Sequence, residues 1–204
     1  MTEWDSFFRE KMLAILASHM RILDIGGGLR ISKDKSNRFD PRRAWILPYI
    51  EKHEYVVMDP VPDYHPDVVG DIHAMPFPDN SEEAVLCFAV LEHIENPIKG
   101  VAEVRRVLKP GGSTFFYVPF LFYYHAEPGY YKDYWRFTHD AIEMLFRDFS
   151  KVEIVKVRGA LETWIHLSPL GRISLFKYAA RFLDGITGKL KSNQVSGYYI
   201  YAEK

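Results

Sequence analysis

The chain has 204 residues, 48% of them hydrophobic, and a formal net charge of −1. That length suits one domain whose core takes about 70% of the unfolded surface out of water, and the near-zero charge sets up no field that would draw the whole protein onto nucleic acid. The single cysteine, Cys87, excludes an internal disulfide and suits a reducing compartment, no apolar run reaches the roughly 18 residues of a membrane span, and the acidic start lacks the basic region of a signal peptide, so a soluble cytoplasmic protein is expected. Residues 3–18 place Phe7, Phe8, Leu13, Ile15 and Leu16 on one apolar face and read as a leading helix. "RILDI" (21–25) is a strand too apolar to be half exposed. A helix is expected to start at "DPRRAW", capped by Asp40 with Pro41 in its first turn, and Pro48 is expected to end or kink it. "EYVVMD" (54–59), "VVGDI" (68–72) and "EEAVLCFAV" (82–90) follow as strands.

"NPIKGVAEVRRVLKPGG" (96–112) is a punctuated helix: Asn96 caps it, Pro97 takes the first position, and Pro110-Gly111-Gly112 stops it. Ile98, Val101, Val104 and Leu108 repeat at helical spacing along it. A strand over 113–120, a helix over 138–149 built on Ile142, Leu145, Phe146 and Phe149, and strands at 151–157 and 197–203 complete the chain. The alternation predicts an α/β fold: one domain spanning 1–204 around a doubly wound, mostly parallel seven-stranded sheet. Two stretches interrupt it, an aromatic substrate-side loop at 120–137 and a helical insertion at 159–191.

In such a sheet, ligands bind beyond the carboxyl ends of the strands. The first strand ends in Asp24-Ile25-Gly26-Gly27-Gly28. A dinucleotide fingerprint needs a third spaced glycine, but Ile31 stands there, and a P-loop is excluded because no Gly-Lys-Ser/Thr follows. A carboxylate beside the turn repels a pyrophosphate and attracts a cation. At about 4 Å and an effective dielectric of about 20, one such pair is worth about 4 kcal/mol before desolvation. S-adenosylmethionine carries a sulfonium and an ammonium and no phosphate, so it suits this turn better than NAD. The bland alternative for Asp24 is a helix cap. Asp59 ends the second strand, where an acid in this architecture bonds a ribose diol, and Asp71 ends the third, within reach of an adenine amino group.

In chain order, "ILDIGGG", "VVMDP" and "GDIHAMPFPDNSEEAVLCFAVLEHIENPIKGVAEVRRVLKPGG" resemble the class I S-adenosylmethionine-dependent methyltransferases over about residues 20–120. The resemblance implies a Rossmann-like methyltransferase fold with a reversed C-terminal hairpin, and S-adenosylmethionine as cofactor. It implies that Asp24, Gly26, Gly27 and Gly28 contact the methionine end and that Asp59 binds the ribose hydroxyls. It further implies that Asp71 and the Ile72 backbone read the adenine and that Phe88 flanks the cofactor. The turn departs from the family at Leu29-Arg30, and the acid–aromatic pair before the fourth strand is Glu82-Glu83. Some quinone O-methyltransferases of this fold bind a divalent metal through E-x-x-E-H. Here Ala89 replaces the first Glu and leaves Glu92 and His93, so no metal is expected.

Methyl transfer needs a nucleophile held in line with the methyl group and sheltered from water. "PFLFYYHAEPGYYKDYWRFTHD" (119–140) supplies His125, Glu127, Asp133 and Arg136 among many rings. His125 is the first choice of base, with Glu127 or Asp133 to orient it. Tyr134, Trp135 and Arg136 are read as substrate-binding, with the alternatives that the rings roof the core and that Arg136 pairs with Asp133. The "H-x-E-P … DYWRFT" pattern resembles bacterial methyltransferase-like proteins associated with cell-surface polysaccharide synthesis, which implies O-methylation of a glycan or small-molecule acceptor. A catalytically inactive cofactor-binding scaffold is the rival expectation. The basic stretch "RISKDKSNRFDPRR" reads as a lid, a phosphate-attracting loop or a solvated loop. The basic amphipathic stretch 172–191 reads either as a peripheral membrane contact or as packing against the sheet or a second subunit. No nucleic-acid partner is expected.

Overall fold

The computed structural model describes residues 1–27 and 41–204. Helix α1 (Glu3–Ser18) is capped by Thr2, whose hydroxyl accepts the Asp5 amide, and buries Phe7, Phe8, Met12, Ile15 and Leu16. Strand β1 (Arg21–Ile25) follows, as expected. The residues from 28 to 40, including Gly28, Arg30, Asp40 and most of the basic loop, lie outside the described residues. The expected helix after them is a 3-10 segment (Pro41–Ile46) running into a four-residue helix, α2 (Leu47–Ile50). Pro48 opens α2 rather than ending a helix, because a proline in the first turn loses no hydrogen bond that the turn could make.

Strand β2 (Glu54–Asp59) keeps its expected bounds, whereas β3 is only Val68–Val69. Gly70 and Asp71 leave the strand, and Asp71 caps a 3-10 turn, Ile72–Ala74. Strand β4 (Glu82–Phe88) stops two residues before the expected end, at Ala89, whose φ of +56° breaks an extended chain. Helix α3 (Pro97–Val107) has the expected Asn96 cap, the side-chain carbonyl accepting the Lys99 amide at 3.0 Å. It ends before Pro110-Gly111-Gly112, which belongs instead to the start of β5 (Leu108–Pro119). The pairing of β4 with β5 slips between Glu82–Leu108 and Ala84–Ser113, so the proline and glycines form a bulged strand entry. Helix α4 (His139–Phe146) is shorter than the expected 138–149, with Thr138 as its cap. Strand β6 (Lys151–Val157), helices α5 (Ala160–Leu167) and α6 (Ser174–Ile186), and strand β7 (Gly197–Glu203) complete the chain.

The seven strands lie in the order β3-β2-β1-β4-β5-β7-β6. Pairings are parallel from β3 through β5, while β7 inserts between β5 and β6 and runs antiparallel to both. This is the expected sheet with its reversed C-terminal pair. The period-two alternation of the strands divides the core into two layers. Leu23, Ile25, Val85, Cys87, Phe116 and Val118 pack under α3 and α4 with Val101, Val104, Ile142 and Phe146. Ile22, Leu86, Phe88 and Phe115 face the other way, against Phe7, Phe8, Met12 and Ile46. Phe8, Phe88 and Phe115 pack edge-to-face or tilted on that side with ring centroids 5.4–5.9 Å apart. Residues 120–137 contain no helix and only a Glu127–Tyr131 bridge, so the expected loop stands where strand β5 delivers it, over the carboxyl edge of the sheet.

Candidate active site

The chain reverses at β1, next to β4, and the carboxyl ends of β1, β2 and β4 open there onto a cavity of about 140 Å³. Its floor is the glycine turn. Gly26 donates its amide to the Met58 carbonyl (2.7 Å) with φ of +76°, and a Cβ there would stand 2.5 Å from the Val90 side chain. Gly27 also has positive φ, +54°. Asp59, Asp71, Ile72 and Phe88 line the same cavity, so with Gly26 and Gly27 six residues singled out in the sequence converge on it. Asp24 does not line it. That carboxylate is buried and accepts the Tyr55 hydroxyl at 2.6 Å, while burial and Asp24 together keep the Tyr55 phenol protonated by pushing its pKa up.

Burial raises the Asp59 pKa, against the lowering effect of the Val61 amide that its Oδ1 accepts at 2.8 Å. Burial also raises that of Asp71, but the His73 amide and ring, both on Oδ1, outweigh it and hold this carboxyl below its usual range. Among the described residues no lysine or arginine lines the cavity.

A second cavity, about 850 Å³, lies beside the first. Trp4, Phe8, Trp45, Tyr117 and Phe122 give it aromatic walls, and Arg9, Arg43 and Arg158 bring cations. Arg158 holds a left-handed backbone, φ +68°, just past β6, and its guanidinium donates to Ser196 Oγ at 2.8 Å. Phe88, Ala89 and His125 line both cavities and form the partition between them.

His125 is fixed from three sides. Its amide donates to Asp133 Oδ2 (2.8 Å), its Nδ1 lies 2.9 Å from the Tyr123 carbonyl, and its Nε2 stands 3.6 Å from Glu92 Oε1. A carbonyl accepts only, so Nδ1 carries a proton, and Nε2, which faces the Glu92 carboxylate, is the nitrogen that gains and loses the titrating one. Glu92 is fully buried, and neither of its carboxylate oxygens has a hydrogen-bond partner. It raises the pKa of His125, against the effect of burial. His93 is also tied through Nδ1, to the Lys132 carbonyl at 2.7 Å, and burial lowers its pKa. Ligand-type atoms of Glu92, His93 and His125 all lie within 4.8 Å of one another, so this grouping has the shape of a cation site as well as of an acid–base pair.

The other sequence candidates take different places. Asp133 receives two hydrogen bonds from Arg136, at 2.6 and 2.7 Å, and these, with His125, outweigh burial and hold its pKa at about 2. Arg136 also donates to the Tyr123 carbonyl. Glu127 accepts the Tyr131 hydroxyl (2.9 Å) and bridges to that residue's backbone. Tyr134 and Trp135 both donate their amides to the Glu92 carbonyl, and the Trp135 indole donates to the Ile94 carbonyl. Neither of the two cavities is lined by Tyr134, Trp135 or Arg136; Tyr134 and Trp135 brace the segment carrying Glu92 and His93, and Arg136 ties Asp133 to the Phe122 and Tyr123 carbonyls. Sequence reasoning treated Glu92 only as the remnant of a metal run, singled out Arg43 only as the end of the basic stretch, and missed Arg158 and His166 on the larger cavity. The one available signal was the position of Glu92 just past a strand tip at the reversal of the sheet.

The sheet order, the reversed last strand and the glycine-floored cavity make this the fold of the S-adenosylmethionine-dependent methyltransferases. A family described as "Methyltransferase domain" matches residues 51–116, from the turn before β2 into β5. The solved S-adenosylmethionine-dependent methyltransferase of Archaeoglobus fulgidus superposes with a TM-score of 0.61 at 16% identity, over 99% of this chain and 94% of that one. The 1,6-didemethyltoxoflavin-N1-methyltransferase of Burkholderia thailandensis, solved with S-adenosylhomocysteine, gives 0.53 at 14% identity, over 96% and 77%. In sequence, the sterol 24-C-methyltransferase ERG6B of Gibberella zeae is 35% identical over 107 residues, 46% of this chain and 26% of that protein. The chain thus spans about a quarter of that relative's length.

Proposed function

We propose that the protein is an S-adenosylmethionine-dependent methyltransferase acting on a hydroxyl of a ring-bearing acceptor, a glycan or glycan precursor. The observation that carries this reading is the shared partition: His125 borders both the acidic, glycine-floored cavity and the large aromatic one. The smaller cavity fits the cofactor. It has carboxylates and, among the described residues, no lysine or arginine, and the Gly26 backbone leaves space that no side chain could share with Val90. S-adenosylmethionine, when bound, supplies a methyl group made electrophilic by its sulfonium.

The residues divide the remaining work. Asp59 offers Oδ2 to the ribose hydroxyls while Oδ1 holds the Val61 amide. Asp71 and the Ile72 backbone face the adenine end. Phe88 and Ala89 shape the passage through which the acceptor oxygen approaches. His125 Nε2 takes the hydroxyl proton, and buried Glu92 stabilises the imidazolium that results. The aromatic walls suit the flat, apolar faces of sugar rings.

Titration calorimetry with S-adenosylmethionine, followed by product assay on sugar and phenol acceptors, tests the reading. Methyl transfer to a hydroxyl that is lost in His125→Ala, with cofactor affinity kept, is the expected result. Cofactor binding without turnover on any acceptor would favour an inactive scaffold. Turnover that disappears with a chelator and returns with a divalent cation would make Glu92, His93 and His125 a metal centre instead.

A further inference from the structure

Helix α6 is attached to the protein by its polar side. Among its residues only Ala180 and Asp184 are buried. Asp184 accepts the Leu161 and Glu162 amides at 2.8 and 2.9 Å and so caps α5, while Arg181 pairs with Glu162 at 2.6 Å. The fit is close: a Cβ on Gly159 would stand 2.5 Å from the Asp184 carboxylate. The latch leaves the apolar side of α6 facing out. Leu175, Tyr178, Phe182 and Ile186, spaced as one helical stripe, are each 65–72% exposed, and Phe176 and Leu183 flank them. Trp164 of α5 is 73% exposed.

A stripe of this size on a helix that does not use it for its own packing marks an interaction surface. The charges around it identify the partner. Residues 160–191 contain five lysines and arginines and two acids. Both acids, Glu162 and Asp184, are buried in the latch, so every exposed charge of this stretch is basic: Arg172, Lys189 and Lys191, with Lys177 half-buried and Arg181 half exposed in its ion pair. A second copy meeting this face through a two-fold axis would set these cations against their own images. An anionic lipid surface instead accepts both the apolar stripe and the basic margin, and the exposed Trp164 and Tyr178 are of the kind that sits at a headgroup boundary. At 13 residues α6 is about 20 Å long, too short to cross a bilayer core of about 30 Å, and no helix among the described residues is long and apolar enough to cross a membrane.

We propose that the α5–α6 unit is a peripheral membrane-binding surface for anionic lipid. Its placement connects it to the larger cavity. His166, at the end of α5, lines that cavity, and its carbonyl accepts the Tyr123 hydroxyl at 2.8 Å. Docking of this unit brings the cavity beside the bilayer, where an acceptor carried on a lipid would be found. The binding itself is independent of the methyltransferase reading and is tested without cofactor or turnover.

The test is co-sedimentation of the full chain with sucrose-loaded phosphatidylcholine vesicles, with and without phosphatidylserine. The chain is expected to sediment with the phosphatidylserine vesicles and to be released by salt. Lys189→Ala with Lys191→Ala should weaken binding about 30-fold. Leu175→Ser with Phe182→Ser should abolish it, with circular dichroism unchanged because these side chains are exposed; if that variant does not fold, the lysine pair and the salt dependence carry the test. Equal sedimentation with pure phosphatidylcholine, or none with either vesicle, overturns the proposal. A dimer by light scattering that Leu175→Ser with Phe182→Ser dissociates, with no vesicle binding, would assign the face to a second copy.

Discussion

The partition between the two cavities is made of three residues, Phe88, Ala89 and His125, of which only His125 titrates. Glu92 stands 3.6 Å from His125 Nε2 and raises its pKa above the ordinary 6.5. A base works in its neutral form, so activity is expected to fall as the pH drops through this raised value. Measured in the presence of a chelator, the acid limb of the rate profile should lie above pH 6.5, and Glu92→Gln should move it down. A limb that does not move in Glu92→Gln would separate Glu92 from the base. On the cofactor side, Asp59→Ala should weaken S-adenosylmethionine binding by about 1–3 kcal/mol, the scale of a polar group left without its partner; calorimetry with unchanged affinity would remove Asp59 from the site. The strand-tip acids were legible in the sequence because position and charge coincide there. Asp24 shows the limit of that logic: one residue deeper in the strand, the carboxylate is buried against Tyr55 instead of lining the cavity. Glu92 was not legible as part of a base, since nothing local distinguishes an orphan buried carboxylate from an exposed one at the start of a turn.

At the scale of elements, the aromatic loop acts as a brace. The Asp133–Arg136 pair closes the loop under His125, while the Tyr134 and Trp135 backbones hold the segment that carries Glu92. Aromatic density suggested ring-on-ring substrate contact, yet in Trp135 the indole N–H is spent on a carbonyl of the neighbouring turn. Asp133, with its pKa depressed from 3.8 to about 2, stabilises the loop above the ordinary carboxylate range and loses that contribution as pH falls toward 2. Hydrogen exchange should therefore show the His125 amide protected near neutrality and opening first on acidification; protection that persists in Asp133→Asn would assign the brace elsewhere. The same scale shows why boundaries failed. Strands β2, β6 and β7 kept their expected limits because turn residues flank an unbroken apolar or alternating run. The bound between α3 and β5 did not, because pairing of Leu108 with Glu82 across the sheet recruits residues that locally read as a stop.

For the whole molecule, the two-layer core follows from strand alternation, and its aromatic side supports the site. Phe115 lies against Phe8 and Phe88, and Phe88 borders both cavities. Phe115→Ala is expected to cost about 3–5 kcal/mol in denaturant unfolding and to lower cofactor affinity through Phe88; a loss below 1 kcal/mol would mean that this layer repacks. The doubly wound sheet and its reversed last strand were legible from the order of elements, whereas the outward-facing stripe of α6 was visible only as amphipathicity, which leaves open what covers it. The smaller cavity carries carboxylates and, among the described residues, no lysine or arginine, a balance that favours a positively charged, phosphate-free nucleoside. Calorimetry of the purified chain against S-adenosylmethionine and NADH tests this most directly. The account predicts saturable binding of S-adenosylmethionine and none of NADH; uptake of NADH with no response to S-adenosylmethionine at millimolar concentration would contradict it.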